Sequence, residues 1–251
     1  MKFIDSLRSE WLKTKRSAAS WLCLFGGFFI PTIYMILFLK DSASINMYYP
    51  FANIWKKHFI DLWQNMAIFL LPMGVILASS LITQMEYKNN TWKQLHTTPQ
   101  SFPRIYFAKF TVIALMTLKF FLFFNIGILL TGIIPSLIFE QRLPVMPVPV
   151  SFFLIGNLKI FAACLPIIAI QYLISLRFKN FLVSIGAGLL GLIGSLIGIS
   201  WKYIFISPYA YCAMLVTGPK PAYNPQLAAV IYFGVLMLIG YFIYISKKEK
   251  G

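Results

Sequence analysis

Six apolar stretches, each about 20 residues long, divide the chain: residues 20–39, 62–83, 110–134, 152–176, 181–199 and 226–245. A hydrocarbon core of about 30 Å is crossed by about 20 helical residues, so each stretch is long enough to span a bilayer. None contains Asp or Glu, and each is rich in Leu, Ile, Phe and Gly. None alternates with the two-residue period of a barrel strand. The pattern predicts an all-α integral membrane protein with six transmembrane helices in a single domain. Ahead of the first stretch, Phe3, Ile4, Leu7, Trp11 and Leu12 fall at helical spacing, with Asp5, Arg8, Glu10, Lys13 and Lys15 between them. That predicts an amphipathic helix on the cytoplasmic membrane surface, its basic face towards anionic headgroups. A polar lead-in with chance periodicity is the alternative. The stretch at 20–39 is preceded by about nineteen mostly polar residues, exceeds a signal-peptide h-region and lacks an A-x-A-like site, so it is expected to remain as a span.

Composition strengthens this picture. Of 251 residues, 59% are hydrophobic and 12% charged, against about 45–50% and 25% in soluble domains. Mean hydropathy is +0.75. The 22 Lys and Arg against 7 Asp and Glu give a net charge of +15. In a membrane protein such an excess belongs to cytoplasmic loops facing anionic lipid, so lipid is the expected partner and nucleic acid is not. With the N-terminus inside, the cytoplasmic segments hold fourteen Lys and Arg and the outer segments six. Both termini are therefore expected in the cytoplasm. Cys23, Cys164 and Cys212 are scattered without CxxC or metal-ligand spacing, which argues against a disulfide scaffold or structural zinc.

The loop 84–109, QMEYKNNTWKQLHTTPQSFPRIYFAK, carries the most information between spans. Asn89 and Asn90 supply a turn, Thr91 can cap a short helix beginning at Trp92, and Pro99 limits its length. Trp92 and Leu95 would be its apolar anchors, either for another protein or for lipid headgroups. On the outer side, residues 40–61 are expected as a mixed loop, and residues 135–151 include a Pro-rich stretch, LPVMPVPV, that favours extended polyproline-like backbone. Residues 203–216 are apolar and aromatic but too short to span, and read as an interfacial or re-entrant segment before the last helix. Gly194 and Gly198 form a GxxxG that permits close helix packing, within the chain or between copies.

Catalytic constellations are missing from the sequence. His58 and His96 fall on opposite sides of the membrane, and HExxH, GxSxG, a P-loop and an intramembrane acid pair are all absent. No catalytic, cofactor-binding or metal-binding residue is assigned, and any energy must come from a partner. Two lysines lie inside spans: Lys119, accompanied by Asn125, and Lys159, accompanied by Asn157. A buried cation costs about 3 kcal/mol on insertion scales. These four residues could line a path for an anionic or zwitterionic substrate; alternatively the lysines snorkel to an interface or bind carbonyls freed near prolines.

Taken in order, these pieces resemble the permease subunit of type-2 ABC transporters, nearest to the bacterial peptide-antibiotic (lantibiotic) protection and export permeases. SEWLKTKRS at 9–17 is similar to the family's elbow helix, with Glu10, Trp11 and Lys13 in its E-x-x-K-x-K-R start. Glu86, then Thr91, Trp92, Lys93 and Leu95, then Pro99 and Lys109, resemble the loop that carries the coupling helix. Asn90 stands where many relatives have Gly, a mild departure because Asn tolerates left-handed backbone. The stretch 203–216 resembles the outer gate. The resemblance implies a separate ATP-binding subunit, a second permease copy or paralogue, and ATP-driven export of a peptide antibiotic, lipid or drug across the bacterial inner membrane. Glu86, Thr91, Trp92, Leu95 and Pro99 would then belong to the subunit contact. A non-transporting anchor or sensor subunit is the competing expectation.

Overall fold

The computed structural model describes residues 3–41, 53–88, 101–139, 147–178, 180–217 and 224–246. All regular structure among them is helical. The elbow α1 spans Phe3–Thr14 and α2 spans Ala18–Lys40. Next come α3 (Ile54–Asn65), a π-turn at Met66–Leu70, and α4 (Leu71–Lys88), which run on as one rod. The long helices α5 (Phe102–Ile138) and α6 (Val150–Arg177) follow, then α7 (Phe181–Ile197). Two 3₁₀ turns (Ile204–Ile206 and Pro208–Ala210) lead into the short α8 (Tyr211–Thr217), and α9 (Pro225–Ser246) ends the bundle.

Local chemistry sets several boundaries. Ser17, Asn53 and Asn180 each accept a backbone N–H in the first turn of α2, α3 and α7, and Asn224 does so for α9. The π-turn closes with the Leu71 N–H on the Met66 carbonyl, directly before Pro72. A proline ring in a regular helix collides with the carbonyl four residues back, and one extra residue in the turn relieves that collision.

Five helices among the described residues are long and apolar enough to cross a membrane: α2, the α3–α4 rod, α5, α6 and α9. The sixth expected span, 181–199, forms the 17-residue α7, which is apolar but shorter than the other five. The α3–α4 rod is the most buried of the spans, whereas α2 and α9 expose most of their surface. That exposed surface is apolar, as on Phe25 and Ile36 of α2 and Leu238 and Phe242 of α9, as a lipid-facing surface must be. α2 packs along α5, where a Cβ on Gly127 would lie 2.6 Å from the Pro31 ring. Close approach through small residues is the usual basis of helix association in lipid.

One expectation for the loops is corrected. Residues 54–61, expected within an outer loop, are helical and begin the second rod. Residues 135–138, beyond the expected span 110–134, continue α5 through Pro135. A helix does not stop where its apolar stretch stops: at about 1.5 Å per residue α5 is about 55 Å long, far beyond the hydrocarbon thickness. A Cβ on Gly194 would meet nothing within 4 Å, so that half of the GxxxG makes no close contact within the chain. The tight glycines of α7 are Gly188 and Gly191.

Within 203–216, the exposed Tyr203, Phe205 and Ile206 give way to a run that packs inward from Pro208. Tyr209, Ala210, Tyr211, Cys212 and Ala213 are buried, against the π-turn, α6 and α7.

Candidate functional site

The elbow lies with its apolar side outward. Ile4, Trp11 and Leu12 are exposed, while Ser6, Glu10 and Thr14, four residues apart, are buried against α5. An inverted stripe of this kind suits a helix bedded in lipid that grips its own protein through polar groups. Lys109, 1% exposed near the start of α5, donates from Nζ to Glu10 Oε2 at 3.0 Å. Lys13, partly exposed, donates to Glu10 Oε1. Burial pushes the Glu10 carboxyl up, but the charges and hydrogen bonds of Lys109 and Lys13 outweigh it and hold its pKa below the ordinary value. The chain turns from α1 into α2 through Arg16 at φ 62°, a left-handed conformation uncommon outside glycine.

The same end of α5 is fastened to two further helices. Tyr106 is fully buried, its hydroxyl donating to the Met237 carbonyl of α9 at 3.3 Å. Tyr172 of α6 donates its hydroxyl to the Tyr106 carbonyl at 3.0 Å. The rings of Tyr172, Tyr241 and Tyr244 surround the Tyr106 ring at 5.2–6.0 Å. On the other side of the loop between α4 and α5, Gln84 Nε2 donates to the Phe178 carbonyl at the end of α6, at 2.7 Å. Both stems of that loop are thus tied to the bundle by buried polar contacts.

Glu86 falls in the last turn of α4. Thr91, Trp92, Leu95 and Pro99, with the short helix expected to start at Trp92, lie outside the described residues. Within the spans, the two asparagines meet. Asn125 Nδ2 donates to Asn157 Oδ1 and Asn157 Nδ2 to Asn125 Oδ1, both at 2.9 Å. Each amide also donates to a carbonyl four residues back, Phe121 or Phe153. All four amide protons are used, and each oxygen retains acceptor capacity. The pair borders an open, otherwise apolar groove of about 500 Å³ between α5 and α6, walled by Phe121, Leu122, Leu154 and Phe161. Lys119 is not part of that groove. Its Nζ donates to Ser20 Oγ at 2.6 Å, at the start of α2, and lies over the Phe123 ring. Lys159 is exposed, roughly opposite Asn157 on the circumference of α6.

A polar seam that sequence reasoning missed joins α4, α6, α7 and the 3₁₀ turn. Gln171 Nε2 donates to Ser80 Oγ at 3.0 Å and to the Ser184 carbonyl at 2.9 Å. Tyr209 OH donates to Gln171 Oε1 at 3.1 Å, and the Ser175 and Ser184 hydroxyls lie 2.6 Å apart. The four residues other than Tyr209 are fully buried, and Tyr209 nearly so. A Cβ on Gly191 would lie 2.5 Å from the Tyr209 ring, so only glycine admits that ring. A glutamine in an apolar stretch was the available signal, because an amide in lipid must find partners. Two of the scattered cysteines also meet: Cys164 and Cys212 are buried free thiols with Sγ atoms 3.4 Å apart.

These features define a polytopic helical membrane protein in which the stems of the loop between α4 and α5 are braced into the bundle. Residues 6–198, about three quarters of the chain, match the family model described as ABC-2 family transporter protein. The chain belongs to that family and is a transmembrane ABC-2 permease, a component that lacks the ATPase site. Permeases of this family generally pair with ATP-binding subunits. The match runs from the elbow to the end of α7. No curated protein and no solved structure matches the chain.

Proposed function

We propose that this permease docks an ATP-binding subunit at residues 84–109 and moves an amphipathic or hydrophobic substrate, such as a peptide antibiotic, lipid or drug, outwards across the bacterial cytoplasmic membrane. The observation that carries the proposal is the bracing of the loop's two stems. The start of α5 is bound to α1, α6 and α9 through Lys109 and Tyr106, and the end of α4 to α6 through Gln84. A displacement imposed on Trp92 and Leu95 by nucleotide binding would be passed to four helices together rather than absorbed by a loose loop.

Six spans with both termini in the cytoplasm, and residues 203–216 as a segment dipping into the membrane from outside, complete this picture. A second permease copy or paralogue supplies the other half of the pathway. The Asn125–Asn157 pair offers acceptor oxygens to a substrate N–H or O–H beside an apolar wall, which fits amphipathic cargo. Lys119, held at Ser20, sits at the cytoplasmic end of the first span in this orientation and would meet an anionic group at the entrance.

The test is co-reconstitution with the ATP-binding subunit. Trp92→Ala and Glu86→Ala should insert normally yet uncouple ATP turnover from substrate. Unchanged coupling in both variants would overturn the assignment of the docking loop. A subunit that only anchors or senses would give no substrate-stimulated turnover in any complex.

A further inference from the structure

The outer-end face shared by α3 and α6 carries two cations that the transport reading does not use. Lys56 and Lys159 are both exposed, and among the described residues neither side chain makes a hydrogen bond or ion pair. The Lys56 ammonium lies 5.5 Å from the centroid of the Phe152 ring. Phe152 and Lys159 are seven residues apart, hence on one face of α6 and about 10 Å apart along it. Lysine stems on a helix lean towards its N-terminus, which brings the Lys159 ammonium back towards Phe152. The two helices are held together at this point: the Phe59 ring packs on Phe153 at 4.4 Å and on Phe152 at 5.6 Å. Ile60, one turn beyond Lys56, and Ile155, one turn before Lys159, are exposed, an apolar surface suited to acyl chains.

An exposed cation about 14 Å along α6 from Val150 needs an anion. Among the described residues the acid carried by these two helices is Asp61 of α3, which is paired with Lys57 at 2.5 Å. A second copy would present the same two positive charges. We infer that Lys56, Phe152 and Lys159 form a binding site for the phosphate of an anionic phospholipid in the leaflet at the Asn53 and Val150 ends of α3 and α6. Two ammonium groups flank the phosphate, and the exposed isoleucines beside them pack against the chains. A zwitterionic lipid brings its own cation into the same space and binds less well.

The test uses the full-length chain in phosphatidylcholine nanodiscs with trace spin-labelled phosphatidylglycerol or spin-labelled phosphatidylcholine, reading the motionally restricted fraction of each. The wild type should prefer phosphatidylglycerol, with each lysine contributing about fivefold. The K56Q/K159Q variant should lose most of the preference. K159R should keep it, as should K202Q, which removes an exposed cation elsewhere and controls for overall charge. Full preference in K56Q/K159Q would overturn the site. So would equal competition by millimolar inorganic phosphate, which would mark a free-anion site. A wild-type dimer broken by K159Q, with unchanged lipid preference, would assign the face to a contact between copies and likewise overturn it.

Discussion

Replacing Lys109 with Met removes the buried half of the bond between the elbow and α5. Glu10 and Lys109 are 6% and 1% exposed, so neither charge can be rehydrated without the elbow lifting. Truncating one partner of a buried ion pair costs about 3–5 kcal/mol, chiefly because the other charge is left uncompensated. Here Lys13 still holds Glu10 from its own helix, which reduces the expected cost to about 2–3 kcal/mol. In a chain this size that corresponds to a fall in melting temperature of about 5–10 °C. The Glu10→Gln/Lys109→Met double variant leaves no buried charge and should recover most of the loss, a coupling of about 2 kcal/mol. Detergent-solubilised protein would be melted and, in parallel, digested with trypsin, which cuts after Lys13, Lys15 and Arg16 once the elbow is released. Faster cleavage in K109M and protection restored in the double variant are expected. Equal melting temperatures in all four members of the cycle would refute the argument that this pair fastens the elbow.

The Glu10 carboxyl also fixes a pH dependence. Its folded pKa lies below the ordinary 4.5, so its contribution is complete above that value and is lost as pH falls through the lowered one. The melting-temperature difference between wild type and E10Q should be flat from pH 8 to pH 5 and shrink only below about 4.5. Gln171→Leu strips the polar seam and removes the acceptor of the buried Tyr209 hydroxyl, at a cost of about 1–3 kcal/mol by thermal melting. Adding Tyr209→Phe should recover part of that loss. Replacing Asn125 alone by Leu should cost about 0.6–1.7 kcal/mol, whereas the Asn125→Leu/Asn157→Leu pair should fold nearly as well as wild type but lose substrate-stimulated ATP turnover. Diamide, accepting two electrons and two protons, should join Cys164 to Cys212 and leave one alkylatable thiol, that of Cys23, after denaturation. Three alkylatable thiols would contradict the 3.4 Å approach.

Five of the six spans were legible in the sequence because burial in lipid demands unbroken runs of apolar residues; the sixth stretch, 181–199, forms the shorter helix Phe181–Ile197. Their ends were not, since α5 continues at both ends through segments of mixed polarity, 102–109 and 135–138, that carry no sharp hydrophobic boundary. The elbow was legible as a helix from its periodicity. Which side it would turn inward was not, because Glu10 finds its partner 99 residues away at Lys109. The asparagines were visible as polar intrusions in apolar stretches, but only packing reveals that they pair with each other. The Gln171 seam draws on four segments separated by up to 129 positions between Ser80 and Tyr209. Spacing along a chain does not report such a meeting. Lys119 and Lys159 looked equivalent as intramembrane lysines, yet one is held by a hydroxyl and the other faces outward, a distinction made by their neighbours alone.

The central claim is that residues 84–109 receive an ATP-binding subunit and that the braced stems pass its movement to the bundle. The most direct measurement places a photo-crosslinking residue at position 92 of the full-length chain, irradiates native membranes and identifies every chain joined to it or co-purified with it. The account predicts an ATP-binding subunit, recovered in equal stoichiometry and crosslinked at position 92. Recovery of intact permease without such a subunit, or with one joined only through a distant control position, would contradict it.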